Sequence, residues 1–209
     1  MPKAIQPQTR NLMLALLALI ALLAISGWKP FDRLTWLMEV LPVIVFLPVL
    51  IYSYTRFPLT TLLYTGIFLH ACVLMLGGAY SYARVPLGFE LQELFDLNRN
   101  PYDKIGHFMQ GLVPALAARE LFIRHKVING KAWLAFLVVC VVMMVSAVYE
   151  LVEWAAALVM GQGADEFLGT QGDMWDTQSD MFLALVGALS MLIFLSRWHN
   201  RQLSNLQKH

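Results

Sequence analysis

The sequence predicts an all-α membrane protein with about six transmembrane helices and both termini in the cytoplasm. Hydrophobic residues make up 58% of the 209 positions and charged residues only 14%, whereas soluble domains average roughly 45–50% and about 25%. The apolar residues also fall into long runs separated by short polar segments. A helix of about 20 residues crosses a bilayer core about 30 Å thick, so these runs are typical of spanning helices.

The first half of the chain contains three such runs. They extend over Leu12–Gly27, Leu34–Tyr54 and Leu59–Gly77. The first run follows Lys3 and Arg10 and ends on small residues, which is also the pattern of a secretory signal peptide. We expect this run to be retained as the first helix.

The second half predicts three further spanning helices, over Asp103–Ile123, Ala132–Met160 and Asp176–Arg197. The loop that precedes them contains an amphipathic piece, Phe89–Leu97, which we expect to lie along the membrane surface. A short polar tail, residues 198–209, follows the last helix. Because no repeat or second domain is evident, residues 1–209 are expected to form a single integral membrane domain.

Lysine and arginine residues are distributed unevenly between the two sides that six helices define. One side receives ten: Lys3, Arg10, Arg56, Arg119, Arg124, Lys126, Lys131, Arg197, Arg201 and Lys208. The other receives five: Lys29, Arg33, Arg84, Arg99 and Lys104. Since cytoplasmic loops carry the excess of positive charge, both termini are placed inside. The acidic loop Gly161–Gly172, which contains neither Lys nor Arg, then lies outside.

Composition argues against two classes of function. The formal net charge is only +1, so no strongly basic surface points to nucleic acid. The two cysteines, Cys72 and Cys140, each lie inside an apolar run. They therefore indicate neither a disulfide framework nor a cysteine metal site. The bilayer is the expected partner, and the sequence leaves the oligomeric state open.

Acidic residues and one histidine gather at the predicted outer ends of three helices. The densest polar stretch is 169–181, which lies between two apolar runs. Spacings of three or four residues put neighbouring members on one helix face. The candidate catalytic residues are Asp103, His107, Glu150, Glu153, Asp173, Asp176 and Asp180. The topology was derived from Lys and Arg alone, so the position of these seven candidate residues on one side independently supports a shared site.

A bound divalent cation would explain so many acids in apolar helices. A single charged residue costs about 2.5–3.5 kcal/mol at the centre of a spanning helix. Protonation, basic partners or a metal ion would offset that cost. Oxygen ligands with one imidazole suit Mg²⁺ or Mn²⁺ and also accept Zn²⁺. The preferred metal ligands are His107, Glu150, Glu153 and Asp180, with Asp103 orienting the histidine and Asp173 and Asp176 shaping the mouth.

Structural roles compete with this interpretation at several positions. Asp176 and Asp180 near a helix start are also favourable as a cap and as an early acid beside the helix dipole. His107 is also suited to a hydrogen bond between helices. Arg84, Arg99 and Lys104 are candidates for receiving an anionic head group, of a substrate or of the surrounding lipid.

Several motifs resemble those of the YjdF-like bacterial inner-membrane family, DUF2238. They are Arg-Asn-Pro-Tyr-Asp-Lys-Ile-Gly-His-Phe at 99–108, Arg-Glu at 119–120, Tyr-Glu-Leu-Val-Glu-Trp at 149–154 and Gly-Thr-Gln-Gly-Asp-Met-Trp-Asp-Thr-Gln-Ser-Asp-Met at 169–181. The resemblance covers nearly the whole chain and implies a small multi-pass inner-membrane protein. A weaker similarity links Asp103-Lys104, His107-Phe108, Glu150 or Glu153, and Asp180 to VanZ-like proteins, although the customary Gln and Arg after the Glu are not evident.

Three kinds of function fit these observations. The first is a metal-dependent hydrolase or transferase that acts on a lipid or lipid-linked phosphate from the outer face. No serine or cysteine nucleophile stands out, which favours a metal-activated water. The second is a cation- or proton-coupled transporter, which would use the same acids as an ion path. The third is a non-catalytic envelope factor whose polar cluster fixes helix packing.

Overall fold

The computed structural model describes residues 7–160 and 170–206, and within them the prediction of an all-helical chain is confirmed, with no β-strand. The helices are α1 (Pro7–Trp28), α2 (Arg33–Ser53), α3 (Thr61–Tyr80), α4 (Pro86–Leu94), α5 (Tyr102–Arg124), α6 (Lys131–Met160), α7 (Asp176–Ser190) and α8 (Ser196–Leu206). A 3₁₀ turn, Tyr82–Arg84, precedes α4, and a π-helical segment, Met191–Leu195, joins α7 to α8. Most of the predicted acidic loop (161–169), together with Lys3 and Lys208, lies outside the described residues.

Five helices among the described residues are long and apolar enough to cross a membrane. They are Thr9–Trp28, Arg33–Ser53, Thr61–Tyr80, Lys131–Val159 and the continuous helix Asp176–Leu206. They correspond to five of the six runs predicted from the sequence. The remaining run forms α5, which is 23 residues long but carries several charged side chains.

Helix α5 lies at the centre of the molecule, where other helices shield its polar residues. Eleven of its residues are buried, among them Asp103, His107, Arg119 and Glu120. It packs against α3, α6 and α7. The hydropathy of α5 is low because its partners are protein side chains, and its polar groups find their contacts inside the bundle.

Two glycines set the close approach of α5 and α7. A methyl group at Gly111 would overlap the carbonyl oxygen of Ala184, and a methyl group at Gly187 would overlap the carbonyl oxygen of Phe108. Small residues at such positions allow helix backbones to approach in a membrane. This contact brings the first turns of α5 and α7, with their acids, next to each other.

Loop contacts show which helix ends lie together. The backbone N–H of Phe31 donates to the carbonyl of Ala79 at 2.9 Å, which joins the start of α2 to the end of α3. At the other end of the bundle, the hydroxyls of Thr9 and Tyr54 are 3.0 Å apart and join the start of α1 to the end of α2. The candidate site lies at the first of these two ends, where α5 and α7 begin.

The last helix is longer than the sequence predicts. We expected a helix that ends at Arg197 and a polar tail after it, but α8 continues to Leu206. The tail sequence is strongly amphipathic, and one side of it packs back on the bundle through His199 and Leu203, both buried. Gln202 also accepts the N–H of Leu62 at 2.8 Å, which fixes α8 to the first turn of α3.

The predicted surface piece is present as α4, although it is shifted. We expected Phe89–Leu97, and the helix extends over Pro86–Leu94. Pro86 occupies its first turn, where a missing N–H costs no intrahelical hydrogen bond. Leu94 and Phe95 at its end remain largely exposed, and its position along the membrane surface stays a prediction.

Candidate metal site

The loop before α5 fixes the position of the first site residues. The side-chain oxygen of Asn100 accepts the N–H of Tyr102 at 3.0 Å, and its amide nitrogen donates to the carbonyl of Val85 at the same distance. Asn100 is buried and therefore ties the start of α5 to the segment before α4. Asp103 and His107 follow on the first turns of the helix.

Three of the predicted residues form a compact buried group, which we call the triad: Asp103, His107 and Asp180. One ligand atom from each lies within 4.8 Å of the other two. His107 Nε2 is 3.4 Å from an oxygen of Asp103 and 3.8 Å from an oxygen of Asp180. All three side chains are buried, and the two carboxylates come from different helices.

The triad contains polar atoms that no protein group satisfies. Within residues 7–160 and 170–206, the second oxygens of Asp103 and Asp180 are buried without a hydrogen-bond partner. An unsatisfied buried carboxylate oxygen is unfavourable by roughly 1–3 kcal/mol or more. Because both oxygens belong to the same small cluster, they indicate a place for a ligand that supplies positive charge or donors.

The orientation of His107 turns one ring nitrogen towards the acids. Its Nδ1 is 3.0 Å from the side-chain oxygen of Gln110, so Nδ1 carries the proton and donates this bond. In the neutral ring, Nε2 is then the atom with a free lone pair, and it faces Asp103 and Asp180. A lone pair beside two carboxylates requires a proton or a cation between them.

The two predicted acids of α6 lie on the other side of the ring or farther away. Glu150 is buried, and its nearer oxygen is 3.9 Å from His107 Nδ1, not Nε2. The same oxygen has no hydrogen-bond partner among the described residues. Glu153 is partly exposed and is not a member of the triad. The geometry therefore favours Asp103 over Glu150 and Glu153 as a direct ligand.

Arg99 holds the two remaining predicted acids. Its guanidinium lies 2.5 Å from Asp176 and 3.2 Å from Asp173, and it donates to the carbonyl of Thr170 at 2.6 Å. Burial opposes its charge, but the hydrogen bond to Asp176 and the charges of both acids raise the pKa of Arg99 above its usual value. Arg99 is thus a permanent clamp on the 170–176 segment. It is already neutralised, which argues against its role as a receiver of an anionic head group.

A reciprocal pair of hydrogen bonds reinforces this clamp. The backbone N–H of Asn100 donates to the side chain of Gln171 at 3.1 Å, and the Gln171 amide donates back to the Asn100 carbonyl at 3.0 Å. Gln171 adopts a positive φ of 49°, which is uncommon for a residue other than glycine, and its two hydrogen bonds to Asn100 hold it there. The loop before α5 and the loop before α7 therefore form one unit.

Sequence reasoning left two neighbours of the triad out of the candidate residues. The hydroxyl of Tyr149 donates to buried Glu39 of α2 at 3.2 Å, and the Tyr149 ring meets His107 edge-on with centroids 6.3 Å apart. In the sequence, Glu39 could have been found as a single acid within an otherwise apolar predicted helix. Nothing in the sequence paired it with Tyr149, which lies 110 positions away.

A second polar cluster lies at the opposite end of α5. Glu120 accepts hydrogen bonds from Thr60, Arg124 and His199, and Arg119 donates to the other ring nitrogen of His199. No candidate site was predicted at this end of α5, so the network is a finding of the structure. All its charged groups have partners, in contrast to the triad, which makes the cluster a structural lock between α3, α5 and α8.

Apolar helices packed around one polar helix, with an acid-rich cluster at one end, define a multi-pass membrane protein that contains an internal polar site. The chain belongs to the family described as "Predicted membrane protein (DUF2238)", whose model matches residues 11–201. It is similar to the inner membrane protein YjdF of Escherichia coli (strain K12), with 59% identity over 203 residues that cover 97% of this chain and 96% of that protein. No solved structure matches. The predicted family and the inner-membrane location are thereby confirmed.

Proposed function

We propose that the chain is a divalent-metal-dependent enzyme, a hydrolase or transferase that acts on a lipid or lipid-linked phosphate at the outer face of the inner membrane. The observation that carries the proposal is the triad of Asp103, His107 and Asp180. Its ligand atoms converge from two helices, and two of its buried oxygens have no partner among the described residues.

The chemistry of the three donors suits a metal ion. The separations of 3.4 and 3.8 Å from His107 Nε2 are compatible with ligand atoms that share an ion at bond lengths of about 2.0–2.2 Å. One imidazole and two carboxylates fit Mg²⁺, Mn²⁺ or Zn²⁺. The hydrogen bond between Gln110 and Nδ1 is the kind of outer contact that fixes the tautomer of a metal-binding histidine.

The surrounding residues have distinct tasks in this proposal. Asp103, His107 and Asp180 would hold the divalent ion, which would polarise a phosphoryl oxygen and lower the pKa of a water molecule. Glu150 has a free oxygen on the Nδ1 side of the His107 ring, 3.9 Å from Nδ1, and would accept a proton from the site through an intervening water. Arg99, by holding Asp173 and Asp176, keeps their negative charge away from an incoming anion.

The two polar clusters of α5 do not form a continuous ion path among the described residues. Between them lies a layer of buried apolar residues that includes Val113, Leu116, Ala188 and Met191. Transport of an ion or proton requires polar partners across this layer. The separation favours chemistry at one face over the transporter interpretation.

Metal content after gentle detergent purification tests the proposal. We expect about one equivalent of a divalent metal in the parent protein and a roughly 10-fold or greater loss in Asp180→Asn, since it removes a direct ligand. Glu153→Gln is the matched control, because it removes an acid of the same region outside the triad, and it should retain the metal.

The proposal would be overturned if the parent protein, Asp180→Asn and Glu153→Gln all failed to retain Mg²⁺, Mn²⁺ or Zn²⁺ and failed to take up these ions after reloading. His107 would then be an imidazolium that bridges Asp103 and Asp180, and the triad would serve helix packing. The non-catalytic interpretation of the protein would replace the enzymatic one.

A further inference from the structure

An apolar groove runs between the α4 segment, α5 and α7. It has a volume of about 320 Å³ and is lined by Leu91 and Phe95 of the α4 segment, Ile105 and Phe108 of α5, and Leu183 of α7. This volume is near the lower end of the range of roughly 300–1,000 Å³ that small-molecule sites occupy. The single charged residue in its described wall is Lys104.

The groove and the triad share the same two helices. Lys104 and Ile105 follow Asp103 directly on α5, and Leu183 lies one helical turn after Asp180 on α7. The contact between Lys104 and Ser179, the residue before Asp180, places the charged residue of the groove wall at the start of α7. No side chain of the triad lines the groove, so the groove is an adjoining surface of the same two helices and not a part of the triad itself.

Lys104 differs from Arg99 in how it is neutralised. Its ammonium nitrogen is 3.4 Å from the hydroxyl of Ser179, and in the part of the chain that the structure describes it has no carboxylate within 4.0 Å. Glu90 and Glu93 of α4 are exposed, and neither lines the groove. A cation at the polar end of an apolar groove is complementary to an amphiphile with a negative head.

We propose that this groove binds one acyl chain of an anionic glycerophospholipid and that the lipid phosphate lies beside Lys104, at the start of α7. The bilayer supplies this ligand laterally, because Phe95 at the groove edge keeps 64% of its surface exposed. As a substrate position the groove rests on the proposed function. As a lipid site it stands independently of any metal.

Photolabelling in vesicles tests the groove with a defined probe. Phosphatidylglycerol that carries a diazirine on one acyl chain is added to phosphatidylcholine vesicles containing the full chain, and the adducts are mapped by mass spectrometry. Adducts should concentrate on Ile105, Phe108 and Leu183 relative to Phe46, an exposed apolar residue of α2. Leu183→Trp should remove this concentration, because the indole fills the groove.

Leu189→Trp is the matched control, since Leu189 is an exposed residue of the same helix that does not line the groove. It should keep the parent labelling pattern. Lys104→Gln tests the head-group contact without altering the bulk of the groove. It should lower the preference for phosphatidylglycerol over an equally labelled phosphatidylcholine by about fivefold, the effect of one basic residue at an anionic surface.

Even labelling of Phe46 and the groove residues would overturn the proposal, as would an unchanged lipid preference in Lys104→Gln. The same samples are assayed for metal, which separates the two proposals. Concentrated labelling in a protein that takes up no metal supports the lipid groove and refutes the enzymatic proposal. Full metal occupancy with even labelling supports the enzymatic proposal and refutes the lipid groove.

Discussion

Glu120→Gln is expected to destabilise the folded protein strongly, although it changes only one atom and one charge. Glu120 has no solvent-exposed surface. One of its oxygens accepts from the Thr60 N–H and from Arg124, each at 3.0 Å. The other accepts from the Thr60 hydroxyl at 2.7 Å and from His199 at 3.0 Å. Both oxygens are thus surrounded by donors.

The magnitude is set by this arrangement of donors. An amide has only one oxygen, so its NH₂ group must face one of the two donor pairs in either orientation. Each hydrogen bond to a charged group contributes about 1.5–3 kcal/mol, and breaking a buried ionic contact costs about 3–5 kcal/mol. We expect a loss of about 4 kcal/mol and a Tm lowered by roughly 10 °C.

Thermal unfolding in detergent, followed by the fluorescence of the six tryptophans, measures this loss. Glu90→Gln is the matched control, because Glu90 is an exposed acid on α4, and its Tm should remain that of the parent. Glu120 lies seventeen positions after Asp103 on α5, a distance of about 25 Å along the helix. Below its Tm, Glu120→Gln should therefore bind metal as the parent does. A Tm within about 2 °C of the parent would refute the assignment of Glu120 as a lock.

Three further predictions concern the site end, the helix contact and the topology. Arg99→Lys should lower stability by about 1–3 kcal/mol, because a point charge cannot replace the forked contacts to Asp176 and the 170–173 turn. Denaturant unfolding measures this, and an unchanged midpoint contradicts the clamp. Gly187→Ala should lower the free energy of unfolding by about 1–3 kcal/mol in the same assay, since its methyl group meets the backbone of α5. The control is Leu189→Ala, at an exposed position of the same helix. Equal midpoints for the two variants would contradict the close contact between α5 and α7. For topology, single cysteines labelled on whole cells should react from outside in the 161–172 loop and be protected in the 124–131 turn. The reverse pattern would place the triad on the cytoplasmic side.

Helical spacing was sufficient to predict part of the site. It placed Asp103 and His107 on one face of α5, and the triad includes both. It also pointed to Asp180, which lies four residues after Asp176 and therefore on the same helix face. Spacing within one helix is set by the backbone alone, which is why these residues were accessible to sequence reasoning.

Contacts between helices depended on information that spacing does not contain. Whether Glu150 faces one ring nitrogen of His107 or the other is decided by how α6 is rotated against α5. Arg99 lay in a loop of mixed charge, and its contact with Asp176 depends on the pairing of two loops. His199 was assigned to a polar tail, because its partner Glu120 is 79 positions earlier.

The π-helical segment Met191–Leu195 has a consequence for how the chain tolerates changes in length. Asp180 and His199 both face α5, yet they are nineteen positions apart. In a regular helix, at about 100° per residue, nineteen steps would leave them about 100° out of phase, whereas eighteen would align them. A π turn accommodates one additional residue without rotating the helix beyond it. Deletion of one lipid-facing residue in this turn, such as Phe194, would convert it to an ordinary α turn and keep both ends in phase. A deletion in the middle of α7 would instead turn α8 away from its partners.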